Sequence, residues 1–170
     1  MRNSLLYVVT LFFLLLFTGT FWGTWFPLTR SINEFSAAEF IHIGKVIISN
    51  VALAMRFIVI ISLLLIVASL WAGRKKMGFV YGIVAFVSYV AVLLMTLLVL
   101  VPIDNSIKTW TAGSVPDNWE FLRDKWSLWH TLRSFTSIGG FILFSIFILT
   151  DNNSMRRKYK LEKKNKGLWK

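Results

Sequence analysis

The chain has 170 residues, 56% hydrophobic and only 16% charged, with a mean hydropathy of +0.64; soluble domains average about 45–50% apolar and ~25% charged, so its solvent is a bilayer. The net charge of +11 would point to nucleic acid in a soluble protein. Here much of it falls in a C-terminal run over 156–170 beside an apolar span, where membrane lipid is the expected partner and nucleic acid is not. The absence of cysteine excludes disulfides, thiolate metal ligands and thiol redox chemistry.

Four stretches approach or exceed the roughly 20 apolar residues that cross a ~30 Å hydrocarbon core: 5–26, 46–71, 77–101 and 128–150. The first follows Arg2, as a signal peptide would, but no small-x-small cleavage site follows and the run continues into Trp22 and Trp25, so it reads as a retained helix. The second and third are joined only by 72–76, a connection so short that the two helices must be antiparallel neighbours. The fold class is therefore an all-α membrane protein, an antiparallel four-transmembrane-helix bundle over 1–150, with a basic tail over 151–170. Two longer loops, 29–45 and 102–125, lie at the opposite end from the 72–76 turn, and Trp110, Pro116 and Trp119 equip the second as a lid.

Orientation follows the lysine and arginine bias of short loops and helix ends. Arg2, Arg74, Lys75, Lys76 and the tail cations share one side, whereas the other holds six of the eight carboxylates. Both termini are expected in the cytoplasm, with the protein multi-pass in a bacterial inner membrane. Trp22, Trp25, Trp126 and Trp129 would then mark the outer interface and Trp71 the inner one.

Ionisable groups inside a span cost about 2.5–3.5 kcal/mol even on insertion scales and tend to face the protein interior. Arg56 and Arg133 are such groups. His42, Ser49 and Arg56 recur every seven residues, which returns them to nearly one face of the second helix. Trp126, His130, Arg133, Ser137 and Gly140 step by three and four along the fourth. Asp104 and Asn105 follow Pro102 at the end of the third, and Gly19 and Gly23 offer a small-xxx-small face for close approach. Both polar stripes are expected to point inward into one pocket, with His130, Arg133, Arg56 and His42 as the reactive groups. Asp104, Asn105, Trp126, Trp129 and Ser49 would contact the ligand. Plainer roles exist for each: an Arg133–Asp104 ion pair stapling two helices, Arg56 bonded to backbone carbonyls or a loop carboxylate, interfacial histidines, and tryptophans of the aromatic belt.

Cys-x-x-Cys, His-Glu-x-x-His, Walker and nucleophile-elbow motifs are absent. The two histidines have no diagnostic metal or haem spacing, and no metal site is assigned. No carboxylate lies inside a span to carry a proton, which counts against a proton-coupled exporter.

The order of Val101-Pro102-Ile103-Asp104-Asn105, then Trp126-Ser127-Leu128-Trp129-His130-Thr131-Leu132-Arg133-Ser134, after a first helix ending in Gly19, Gly23 and Pro27, resembles the four-helix membrane family that includes the anthrone oxygenases of aromatic polyketide pathways. Asp104 stands where that family usually has asparagine. The resemblance implies oxygenation in which a substrate carbanion activates O2 without metal or flavin, so no cofactor is expected. His130 or His42 would be the base, Arg133 and Arg56 the oxyanion stabilisers, and Trp126 and Trp129 a stacking platform. The expected function is a cofactor-independent oxidoreductase or binder of a lipophilic, enolisable small molecule. The alternatives are a non-enzymatic accessory or scaffold protein working with a partner or as an oligomer, and, third, a small transporter.

Overall fold

The structure is a computed structural model describing residues 2–111, 113–150 and 161–162. All of the expected tail except Leu161 and Glu162 therefore lies outside the described residues. Five α-helices form four rods: α1 (Arg2–Trp25), α2 (Ala37–Ala72), α3 (Phe79–Met95), α4 (Val101–Thr109) and α5 (Trp119–Leu149). A π-helical stretch, Thr96–Leu100, joins α3 to α4 in one rod, and a 3-10 turn, Thr29–Glu34, follows α1. Among the described residues there is no strand. All four rods are long and apolar enough to cross a membrane, and the protein is a multi-pass four-helix bundle.

The rods form a ring in which α1 packs on α2 and α5, and α3 packs on the same two helices. The α2–α3 hairpin lies at one end, here the hairpin end. The 3-10 turn and the 110–118 connection lie at the other, the loop end. Polar clasps tie the ring together inside the span: Thr10 Oγ1 to Ser69 Oγ at 2.9 Å between α1 and α2, and Thr18 Oγ1 to Tyr89 OH at 2.9 Å between α1 and α3. Where water is excluded, such bonds supply association that hydrophobicity cannot.

The helices run further than their apolar cores predict. α2 starts at Ala37 rather than near 46, because Ser36 and Glu39 build a capping box: Ser36 N–H donates to Glu39 Oε2 at 2.8 Å, and Glu39 N–H donates back to Ser36 Oγ at 3.4 Å. The third rod does not stop at Pro102. Proline lacks an N–H and crowds the carbonyl four residues back, and the widened π turn just before it absorbs both defects, so the rod continues to Thr109. The loops expected over 29–45 and 102–125 are thus largely helical. At ~1.5 Å per residue, 36 residues of α2 span about 54 Å, well beyond a ~30 Å hydrocarbon core.

The extra length carries a second core. One cluster, built on Leu14, Phe17, Ile66, Tyr89, Phe144 and Phe147, fills the bundle towards the hairpin end. The other, with Ile32, Phe40, Ile41, Ile103, Ile107, Trp110 and Trp126, closes the loop end. Gly19 and Gly23 are not the close-approach face their spacing suggested, since a Cβ on either would meet nothing within 4 Å. Close approach occurs at Gly82, against Leu70 and Phe147, and at Gly140, against Tyr89 and Ser88.

Candidate functional site

α5 presents its stripe inward as expected. Trp126, His130, Ser134, Ser137 and Gly140 are all buried, and Arg133 is half-buried beside them. His130 has no exposed surface. Trp126 lies one turn above it with the two rings stacked 4.7 Å apart, and Phe21 of α1 meets the imidazole edge-on at 6.3 Å. Thr29 Oγ1 lies 3.3 Å and Ser134 Oγ 3.4 Å from His130 Nδ1.

Those two hydroxyls are compatible with either tautomer, since Thr29 Oγ1, with no other partner among the described residues, can donate to a bare Nδ1. Ser134 has one hydroxyl hydrogen and donates it to the His130 carbonyl oxygen at 2.7 Å, so a lone pair of its oxygen faces Nδ1. With the proton on Nδ1 that lone pair is satisfied and Nε2 is the bare acceptor; with the proton on Nε2, Thr29 donates to Nδ1. Nε2 is buried and has no hydrogen-bond partner among the described residues.

Arg133, one turn below, sits with its guanidinium 4.3 Å from the centre of the Phe21 ring and donates from Nη1 to Thr96 Oγ1 at 3.3 Å. Thr96 opens the π segment, a form often found at functional sites. Arg133 Nε is also buried without a partner among the described residues. The π turn carries the third rod on to Asp104, whose Oδ1 accepts the Trp126 Nε1–H at 3.0 Å. The alternative, an Arg133–Asp104 ion pair, is not formed at bonding distance: the one salt bridge among the described residues joins Arg123 to Asp124 at 2.9 Å. Asp104 positions Trp126 instead.

Beside Asp104 and Trp126 is a cavity of about 20 Å³ walled by Leu28, Ile32, Phe40, Ile43, Ile48 and Ile107, among others. That is room for roughly one water. Among the described residues, no three of His, Asp and Glu converge as metal ligands.

The other half of the expected pocket is elsewhere. His42, Ser49 and Arg56 are exposed on the outside of α2. The seven-residue period was right and the phase was wrong by one residue. Ile41, Ile48, Met55, Ser62 and Ser69 form the seam that faces the bundle, all buried except the half-buried Ile48, and the polar set lies about 100° round from it. Asn105 also points outward and accepts from Lys108 Nζ at 3.3 Å. Trp129 is half-buried against the loop-end core. The structure therefore brings together His130, Arg133, Asp104 and Trp126, and adds Phe21, Thr29, Thr96 and Ser134. Ser134 sits one turn from His130 on the same face and was readable from its spacing. Phe21, Thr29 and Thr96 come from other rods and left no local signal.

Fold and cluster together define a multi-pass membrane protein with a buried His–Arg–Asp–Trp group at one end of a four-helix bundle. The sequence model of the anthrone oxygenase family matches residues 41–143, and the chain belongs to that family. The match includes His130, Arg133, Asp104 and Trp126 but stops short of Phe21 and Thr29 on the α1 side of the site. Neither the curated proteins nor the solved structures gave a match.

Proposed function

We propose that the protein takes a lipophilic, enolisable small molecule at the His130–Arg133 cluster and oxidises it with O2 without a cofactor. The observation that carries this reading is a pair of buried nitrogens with no partner among the described residues, His130 Nε2 and Arg133 Nε, one helical turn apart, with the imidazole proton taken to be on Nδ1. Unsatisfied buried polar groups are rare in folded proteins and each calls for a reason. An enolisable ketone supplies what both lack. Its acidic C–H gives the proton to Nε2, and the enolate oxygen accepts from the guanidinium in a site with little water to compete. The carbanion then passes its electrons to O2. The methylene becomes a carbonyl, the second oxygen atom leaves as water, and the imidazolium returns its proton in that step.

Further support comes from the aromatic walls. Trp126 and Phe21 flank the imidazole, and planar substrates stack on such rings. With room for about one water beside Asp104, a polycyclic substrate enters by displacing these rings. The hairpin end, rich in cations, faces the cytoplasm of a bacterial cell on this reading, and the ligand arrives from the opposite leaflet. The test is mass spectrometry of small molecules that co-purify with the protein, followed by O2 consumption with anthrone. A bound lipophile that His130→Asn releases, or uptake of O2 that the variant abolishes, is the expected result. Neither appearing in the wild-type protein overturns the proposal.

A second reading, a non-enzymatic accessory protein, is favoured by the tight packing of the loop end. It expects a stable complex with another membrane protein and no retained lipophile.

A further inference from the structure

Arg56 sits in the span of α2 with its side chain exposed, and Leu53, Phe57 and Ile60 around it are exposed as well. It makes no hydrogen bond, ring contact or ion pair with any described residue. The chain also has no aspartate or glutamate anywhere over 40–103. A guanidinium in that position is costly unless it reaches the interface, where an anion from outside the protein can pair with it.

Depth narrows the choice. Trp71 is 72% exposed at the hairpin end and carries Arg74 over its ring at 5.1 Å, marking one membrane interface. Counting back ~30 Å at ~1.5 Å per residue places the other interface near Val51. Arg56 then lies about 8 Å inside it. Side chains on a helix lean towards its N-terminus, which for α2 is the loop end, so Arg56 snorkels towards that interface. Ser49 and Asn50 are exposed at the level it reaches. The Ser49 hydroxyl is occupied by the Val46 carbonyl at 2.9 Å, and Asn50 lies about 120° round the helix from Arg56, so neither is placed as its partner.

We infer that Arg56 forms a headgroup site for an anionic phospholipid of the loop-end leaflet, with an acyl chain lying over Leu53, Phe57, Ile60 and Leu64. Phosphate is the anion that the reach of Arg56 towards the interface meets, and the planar guanidinium matches its oxygens. A zwitterionic headgroup brings its own cation and is held less well. A second copy docked through α2 supplies no carboxylate at this depth, and parallel pairing sets arginine near arginine. This inference is independent of the proposed reaction, since Arg56 lies on the outside of α2.

The test uses the full chain in phosphatidylcholine vesicles doped with phosphatidylglycerol that carries a photoactivatable group near its phosphate. After illumination, adducts are mapped by peptide mass spectrometry. Adducts over 49–57 are expected in the wild type, falling roughly fivefold in Arg56→Gln, the factor that about 1 kcal/mol per surface cation implies. Unlabelled phosphatidylglycerol should compete better than unlabelled phosphatidylcholine, a comparison that needs only the unmodified chain. Equal competition, an unchanged Arg56→Gln yield, or adducts confined to the 151–170 tail would overturn the site. So would capture of a protein at Arg56 in place of lipid.

Discussion

His130 is fully buried yet leaves Nε2 without a partner among the described residues, so different substitutions probe its packing and its chemistry. Asparagine can place an N–H where Nδ1 stood, towards Thr29 and Ser134, but has nothing at the position of Nε2. His130→Asn should therefore fold while losing about 10²–10⁴ of any proton-transfer rate, measured as O2 uptake. His130→Ala removes the stacking partner of Trp126 and opens a void, which should cost roughly 2–4 kcal/mol in detergent unfolding. Asp104 behaves differently again. Asp104→Asn keeps a carbonyl oxygen for Trp126 Nε1–H, and its melting temperature should stay close to wild type. Asp104→Ala leaves a buried indole N–H unsatisfied, at about 1–3 kcal/mol, so equal melting of the two variants would show that this bond does not hold Trp126. The His130 and Arg133 positions were legible because steps of three and four on one helix are a local code. Arg56 was misread because two seven-residue stripes run along α2 one residue apart, and polarity chose the wrong one. The longer stripe, Ile41 to Ser69, was the seam.

At the scale of elements, the crossing of α3 on α5 depends on missing side chains. A Cβ at Gly140 would come within 3.1 Å of the Tyr89 ring and 3.2 Å of Ser88 Cβ, whereas its neighbour Gly139 meets nothing within 4 Å. Tyr89 cannot easily yield, being wholly buried with its hydroxyl bonded to Thr18. Gly140→Ala should therefore destabilise the bundle by about 1–3 kcal/mol through overpacking. Gly139→Ala should be neutral or stabilising by up to ~1 kcal/mol through helix propensity alone. Thermal unfolding of this adjacent pair in detergent is a direct check, and equal shifts would mean the crossing is looser than its geometry. Spacing alone had favoured Gly19 and Gly23, because small residues four apart are the commoner packing signal. That signal marks where a helix can be approached, and which helix comes near is settled by the rest of the ring. The extension of the third rod past Pro102 was illegible for a related reason, since a π turn has no composition of its own.

For the whole molecule, the ends of the bundle differ in the acidic residues that accompany their cations. At the loop end Lys45 donates to the Trp110 carbonyl at 2.6 Å, Arg123 pairs with Asp124, and Arg30 lies over Trp25 and Phe26 at 5.9 and 5.5 Å. Glu34, Glu39, Asp104, Asp117, Glu120 and Asp124 share that end. At the hairpin end Arg74 and Lys75 are exposed in a short turn with no acidic residue near in sequence, the location where positive charge acts most strongly on orientation. The hairpin should therefore be cytoplasmic and the loop end outside. The chain has no cysteine, so each engineered cysteine is the only thiol. Ser114→Cys, exposed in the 110–118 connection, should react with a membrane-impermeant maleimide in intact cells. Met77→Cys, exposed at the hairpin, should react only after permeabilisation. Neither substitution alters the charge that sets the topology, so the reverse pattern would invert the protein and move the His130 site to the cytoplasmic leaflet.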